Sequence, residues 1–293
     1  MPGRCRRTLG LVAAACVGTA ALAQGLPDYT GPAPGRIVDI GGRSLHLLCK
    51  GSGSPTVVIE PGSASPSALW WPVQDHLAAR TRTCTYDRAG YGWSDPAPLP
   101  RSAADRAQDL ARLLDRAGER GPWLLVAHSY GGLVARDFAH RRPEEVAGMV
   151  LVDAVEEESL ADPLLQADAD RAEARVRAHS DALMAQFPAA RVAIAATLAE
   201  VADERRSMRQ GPAPLPGLGA LPLTVISRGR AGKTPEEVQV DAAWARGQAR
   251  LATLASGASH VVATDSGHDI FLDEPELVTT EVERMLDRIR GRP

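Results

Sequence analysis

Apolar residues in this chain fall into short blocks of two kinds. Thr56-Val57-Val58-Ile59 and Trp123-Leu124-Leu125-Val126-Ala127 are continuous apolar or β-branched runs, the pattern of strands buried on both faces. Residues 36–40 and 44–50 read as two strands joined at Gly41-Gly42, a hairpin signal. Further strands are expected at 83–86, 146–152, 223–227 and 261–264. Between these blocks the apolar positions take the helical period. The clearest case is 102–118. Ser102 can cap it, Leu110, Leu113, Leu114 and Ala117 share one face, and Gly118 ends it. Other helices are expected at 69–80, with Pro72 in the first turn, at 130–142, stopped by Pro143, at 235–255, and from 275 onward. Strand–helix alternation of this kind predicts a doubly wound, mostly parallel sheet with helices on both faces.

The alternation stops between residues 156 and 214. This stretch is rich in Ala, Arg, Asp and Glu, reads as helices only, and closes in a Pro/Gly-rich run that extends to Pro216. It is expected to be an insertion, dividing a sheet domain into residues 24–155 and 215–293. Residues 24–35 are rich in Pro and Gly and are expected to be extended.

Residues 1–23 have a different character. Arg4, Arg6 and Arg7 precede an apolar run from Leu9 to Leu22, and Ala21-Leu22-Ala23 is an A-x-A cleavage site. Charge, apolar run and small residues in this order describe a secretory signal peptide. Arg6-Arg7 before Thr8-Leu9 carries part of a twin-arginine signal. A membrane anchor is the alternative, but the run is shorter than the roughly 20 residues a span needs. No later segment is apolar enough to span a membrane. Lipidation at Cys16 would make the protein a surface lipoprotein, although Ala13-Ala14-Ala15 lacks the large aliphatic expected before such a cysteine. An exported protein that keeps Cys49 and Cys84 favours a disulfide between them over two buried free thiols.

Composition narrows the rest. The chain has 293 residues and a formal charge of −3, which becomes −6 without the three arginines of the leader. Nothing in that balance argues for a nucleic-acid partner. There is no Rossmann or P-loop glycine pattern and no Cys/His cluster with zinc-ligand spacing, so neither cofactor nor metal is called for. Oligomeric state is not legible.

The chemistry concentrates in Ala127-His128-Ser129-Tyr130-Gly131-Gly132, between an expected strand and an expected helix. This is a G-x-S-x-G nucleophile elbow with Ala at the first small position. Small residues permit the tight turn that lifts Ser129 above the sheet. The helix that follows aims free N–H groups at developing negative charge. His128 should point to the other side of the strand and serve packing.

Here the chain resembles the α/β-hydrolase family. Pro61-Gly62-Ser63 stands where the family carries its oxyanion loop, with Pro in place of the usual His. The stretch from Tyr86 to Ser94 is similar to the D-x-x-G-x-G-x-S segment after the fourth strand, and Ser266-Gly267-His268 to the G-H base motif. The resemblance implies an eight-stranded, mostly parallel sheet with a helical cap after strand six. It also implies Ser129 as nucleophile, His268 as base, and the backbone N–H groups of Ser63 and Tyr130 as oxyanion hole. In the family's sheet order the strands carrying Cys49 and Cys84 are neighbours.

The acid is less direct. The family usually places it after strand seven, where Arg228 to Pro235 contains no carboxylate. Asp153 ends strand six, where some members carry the acid, and preserves the order Ser, Asp, His. Glu236, Glu237 and Asp241 are the alternatives. Trp70 and Trp71 are expected in the acyl pocket, and Trp244 in the core. The resulting expectation is an exported hydrolase of small-molecule carboxylic esters. Amide or peptide hydrolysis, perhydrolysis, and a binding protein without turnover are its rivals. A serine nucleophile argues against the chemistry of haloalkane dehalogenases and epoxide hydrolases, which in this fold needs a carboxylate that forms an alkyl ester. The exported chain should begin at Gln24, checked by N-terminal mass analysis; a start at a lipid-bearing Cys16 would show the anchored form instead.

Overall fold

A computed structural model describes residues 29, 31–186, 191–211 and 215–291. The expected signal segment, with Cys5, Cys16 and the cut before Gln24, lies outside the described residues. Eight strands form one sheet in the order β1-β2-β4-β3-β5-β6-β7-β8. They are β1 (Arg36–Asp39), β2 (Ser44–Lys50), β3 (Thr56–Glu60), β4 (Thr83–Tyr86), β5 (Trp123–His128), β6 (Val146–Val152), β7 (Leu223–Arg228) and β8 (Ser259–Ala263). β2 runs antiparallel to β1 and β4, and every other pairing is parallel. Each residue of β3 and β5 is buried, as their unbroken apolar runs require.

The period-2 geometry of β5 separates two cores. Trp123, Leu125 and Ala127 face one, together with helices α2 (Ala103–Ala117), α3 (Gly131–Arg141) and α6 (Pro235–Leu251). Leu124 and Val126 face the other, with α1 (Trp71–Leu77), the single turn α7 (Ile270–Asp273) and α8 (Pro275–Arg290). Burying both faces is what a parallel sheet demands. α2 forms where its sequence signals it. Ser102 Oγ accepts from the Asp105 N–H, Asp105 accepts from the Ser102 N–H, and Gly118 closes the helix at φ 74°. The expected helix at 69–80 divides instead into a tight turn at Ser67–Trp70 and α1, because Pro72 can occupy only the first turn of a helix.

Between β6 and β7 the chain leaves the sheet for α4 (Pro163–Gln186) and α5 (Arg191–Arg209). α5 docks through charge. Its Glu200, Asp203 and Glu204 are buried and meet Arg88 and Arg106 of the sheet domain. Among the described residues no helix is long and apolar enough to cross a membrane.

Cys49 of β2 lies directly opposite Cys84 of β4, and a disulfide joins them. Their Cα atoms are 4.0 Å apart, closer than the usual spread of about 4.4–6.8 Å, since facing residues of antiparallel neighbours approach closely. The bond closes a sequence separation of 35 residues. Protein unfolded without reductant should therefore offer no alkylatable thiol at either position, and reduction should lower stability by about 2–4 kcal/mol in urea titrations. Two alkylatable thiols would overturn the bridge.

Candidate active site

β5 ends at His128 and α3 begins at Gly131, so the chain must reverse within two residues. Ser129 does this at φ 52°, in the left-handed region, a conformation that costs a non-glycine residue of order 1–3 kcal/mol. The two glycines that follow make room for it. A Cβ on Gly131 would lie 2.5 Å from the Pro61 carbonyl oxygen, and one on Gly132 would lie 2.5 Å from the Ala154 Cβ. The first contact sets the elbow against the loop after β3, the second against the loop after β6.

Ser129 Oγ is 2.9 Å from His268 Nε2, and His268 Nδ1 is 2.6 Å from Asp153 Oδ2. A carboxylate only accepts, so Nδ1 carries the hydrogen and Nε2 is left free to accept from the serine hydroxyl. Asp153 is fully buried and gathers further donors. Trp244 Nε1–H (2.8 Å) and the Arg228 N–H (3.0 Å) reach Oδ1, and the Arg228 guanidinium stands 3.5 Å from Oδ2. Burial pushes the carboxyl pKa up, but the hydrogen bond from His268 and the electrostatic attraction of its N–H, followed by Arg228, outweigh it and hold the group below its usual value.

An "alpha/beta hydrolase fold" family model matches residues 55–228, more than half of the chain. The chain belongs to the α/β-hydrolase fold family. It is 26% identical over 229 residues to YqjL of Bacillus subtilis, covering 78% of this chain and 82% of that one. It is 36% identical over 146 residues to a 2-(acetamidomethylene)succinate hydrolase of Mesorhizobium japonicum, covering 50% of this chain and 49% of that one. Of several other curated relatives it spans 18–42% of the length. The solved structure of a thermophilic esterase from Thermogutta terrifontis superposes with a TM-score of 0.64 at 22% identity, covering 86% of this chain and 97% of that one.

Further features of this α/β-hydrolase surround the three residues. Among the described residues the backbone N–H groups of Ser63 and Tyr130 find no protein acceptor. Tyr130 immediately precedes α3, where unpaired N–H groups favour negative charge. His128 is buried on the far face of β5. Its Nε2–H donates to the backbone carbonyl of His268 at 2.9 Å, so the packing residue also seats the His268 loop. Burial and the adjacent His268 hold its pKa down to about 3, keeping the ring neutral. The His268 loop is tied from the other side by Gly267 N–H to Asp273 (2.9 Å) and Ser266 Oγ to Glu274 (2.6 Å).

A cavity of about 340 Å³ opens above Ser129 and His268. Its floor includes Ser63. Its walls are mostly apolar and come from α4, α5 and the segment after β6, including Leu160, Leu165, Val176, Val201 and Met208. Trp70 and Trp71 do not line it. Trp70 is fully buried and stacks on Phe271 with centroids 4.0 Å apart, while Trp71 stacks on Trp93. The turn at Ser67–Trp70 directs the first ring into the core beneath the sheet. Trp244, expected in the core, packs against it and also lines the cavity, where it bonds to Asp153. Asp269 also faces the cavity, and burial raises its pKa to about 6 despite the opposing effect of His268.

The other acid candidates have different partners. Glu237 accepts from the N–H groups of Lys233 and Thr234 as part of the α6 capping box. Glu236 meets Arg171 on the surface, and Asp241 accepts from the Gly232 N–H at 2.8 Å. Asp153→Asn should preserve the fold and cut kcat for p-nitrophenyl esters by about 10⁴, whereas Glu236→Gln, Glu237→Gln and Asp241→Asn should each cost far less. A crippled Asp241→Asn beside an active Asp153→Asn would move the acid to α6.

Proposed function

We propose that this chain is an exported serine hydrolase that cleaves small carboxylic esters through an acyl-enzyme. The observation that carries the reading is the unbroken hydrogen-bonded chain Ser129–His268–Asp153 on the floor of a largely apolar cavity. A serine hydroxyl is a weak nucleophile until a base stands beside it. In this reading Ser129 Oγ attacks the ester carbonyl carbon while His268 Nε2 takes its proton. Negative charge then builds on the former carbonyl oxygen, and the N–H groups of Ser63 and Tyr130 receive it. The tetrahedral adduct collapses, and His268 returns the proton to the departing alkoxide. A water, deprotonated by the same nitrogen, frees the acid and restores Ser129. Asp153 stays ionised throughout, fixing the tautomer and stabilising the imidazolium.

The apolar walls suit an acyl chain. The leader-like segment and the paired cysteines support export, because disulfides persist in oxidising compartments. Amide hydrolysis is the second reading, favoured by the likeness to a relative named 2-(acetamidomethylene)succinate hydrolase. The same floor can serve either leaving group. A non-catalytic binder would have no use for the serine–histidine contact.

A fluorophosphonate probe should label the purified protein at Ser129. Ser129→Ala should abolish labelling and reduce p-nitrophenyl ester turnover by several powers of ten without loss of folding. Near-normal turnover by Ser129→Ala would remove the serine from the mechanism. Faster release from p-nitroanilides than from matched esters would replace ester with amide hydrolysis.

A further inference from the structure

The peptide between Gly62 and Ser63 lies directly against the nucleophile. A Cβ on Gly62 would be 3.1 Å from the Ser129 Cβ. The Gly62 carbonyl of that peptide accepts from Arg88 Nη2 at 2.7 Å, and Arg88 Nη1 donates to the preceding carbonyl of Pro61. A trans peptide is planar, with its C=O and N–H pointing in opposite directions. Holding the Gly62 carbonyl on Arg88 therefore fixes the direction of the Ser63 N–H. On the far side of Ser63, the Ala64 N–H donates to the Tyr91 hydroxyl at 3.1 Å, and Ala64 sits at φ 55°. The loop is thus gripped at both ends around one N–H group.

Both grips meet in one residue of the cap. Glu204, on α5, accepts with Oε1 from Arg88 Nε (3.2 Å) and Nη2 (3.1 Å), and with Oε2 from the Tyr91 hydroxyl (3.1 Å). Glu60 supplies the second carboxylate to Arg88 at 2.9 Å. Arg88, Tyr91 and Glu204 are all buried, so water offers no substitute for a lost partner. Two other acidic residues of α5 make a natural contrast. Glu200 and Asp203 meet Arg106 at 2.8 Å and 3.1 Å, and neither of these carboxylates contacts the loop of residues 61–64 among the described residues.

We propose that Glu204 is a positioning residue of the oxyanion hole: from the cap, through Arg88 and Tyr91, it locks the Gly62–Ser63 peptide with its N–H toward the reacting carbonyl. The proposal rests on the reading of Ser129 as nucleophile and of Ser63 N–H as an oxyanion donor. It makes transition-state stabilisation depend on a docked α5. Charge-only docking would behave differently, because Glu200 and Glu204 would then be interchangeable in their effect on catalysis.

Glu204→Gln keeps the shape and removes the charge that holds both partners. Against p-nitrophenyl butyrate, its kcat should fall by about 10–100-fold, below the cost of losing an oxyanion donor outright, with KM within about threefold of wild type. Affinity for an alkyl trifluoromethyl ketone, whose serine adduct places an oxyanion in the hole, should fall in parallel. Tyr91→Phe, which removes one hydroxyl, should move kcat and ketone affinity together by at least about threefold. Glu200→Gln should leave both within about threefold. Equal losses from Glu204→Gln and Glu200→Gln would overturn the proposal, as would a kcat loss without a loss of ketone affinity. If Glu204→Gln fails to fold, Tyr91→Phe decides alone, and unchanged kcat and ketone affinity there would overturn it. A wild type that neither hydrolyses the ester nor binds the ketone would instead overturn the ester reading on which the lock rests.

Discussion

Three residues other than glycine have positive φ among the described residues, and all three are at the site: Ala64 at 55°, Ser129 at 52° and Asp153 at 42°. They follow β3, β5 and β6, which are consecutive neighbours at the centre of the sheet. Each such conformation costs of order 1–3 kcal/mol and persists only where its surroundings leave no alternative. Here the parallel ladder continues past the strand ends. The Ser129 N–H donates to Val152 O, the Val155 N–H to Ser129 O, and the Asp153 N–H to Ile226 O at 2.7 Å. Ser129 and Asp153 are thereby held by backbone bonds of central, largely buried strands. Everything that serves the chemistry depends on that frame, because side chains placed on a yielding loop could not keep hydrogen-bond distances.

Burying Asp153 as an anion requires compensation, and the structure supplies it in an instructive form. Its two oxygens meet an imidazole N–H, an indole N–H, a backbone N–H and the fringe of a guanidinium. No single full positive charge is fused to it. Arg228 divides its guanidinium between Asp153, Asp241 and the face of Trp244. A carboxylate locked into a tight ion pair would have less charge to offer an imidazolium when one forms. Distributed neutral donors keep it ionised while leaving its field available to His268.

Much of this was legible along the chain, because the signals were local. Continuous apolar runs locate strands buried on both sides, Ser102 and Gly118 bracket α2, and an elbow motif between a strand and a helix singles out Ser129. Asp153 could be reached from the strand that precedes it and from the lack of a carboxylate just after β7, and the structure brings it to His268. The cavity wall was not legible. Which face of a turn Trp70 presents depends on how Pro72 divides the segment, and Trp70 goes to the core beneath the sheet. Trp244 lies on α6, whose orientation toward Asp153 follows from the packing of α6 near β7, a tertiary fact. Glu204 looked like one more charge in a charged helix; only the docking of α5 distinguishes it from a solvated residue.

That docking also limits how the cavity can open. Arg106 is buried and owes its ionic compensation to carboxylates of α5, while the buried Arg88 divides its own between Glu204 of α5 and Glu60 of β3. Lifting α5 would strand the Arg106 guanidinium and leave Arg88 with Glu60 as its one carboxylate, and breaking a buried ion pair by removing one partner costs about 3–5 kcal/mol. α4 is anchored differently. Leu165 packs with Val240 and Ala243 in a small satellite cluster, Arg171 meets Glu236 on the surface, where salt bridges hold weakly, and the buried Arg205 of α5 donates to Asp170 and to the Gln166 carbonyl of α4 at 2.8 Å each. Of the two helices that wall the cavity, α5 is pinned to the sheet domain by buried ion pairs, and α4 is held in turn by α5 and α6. The wall pinned by buried charge is thus the one that reaches the loop beside Ser129.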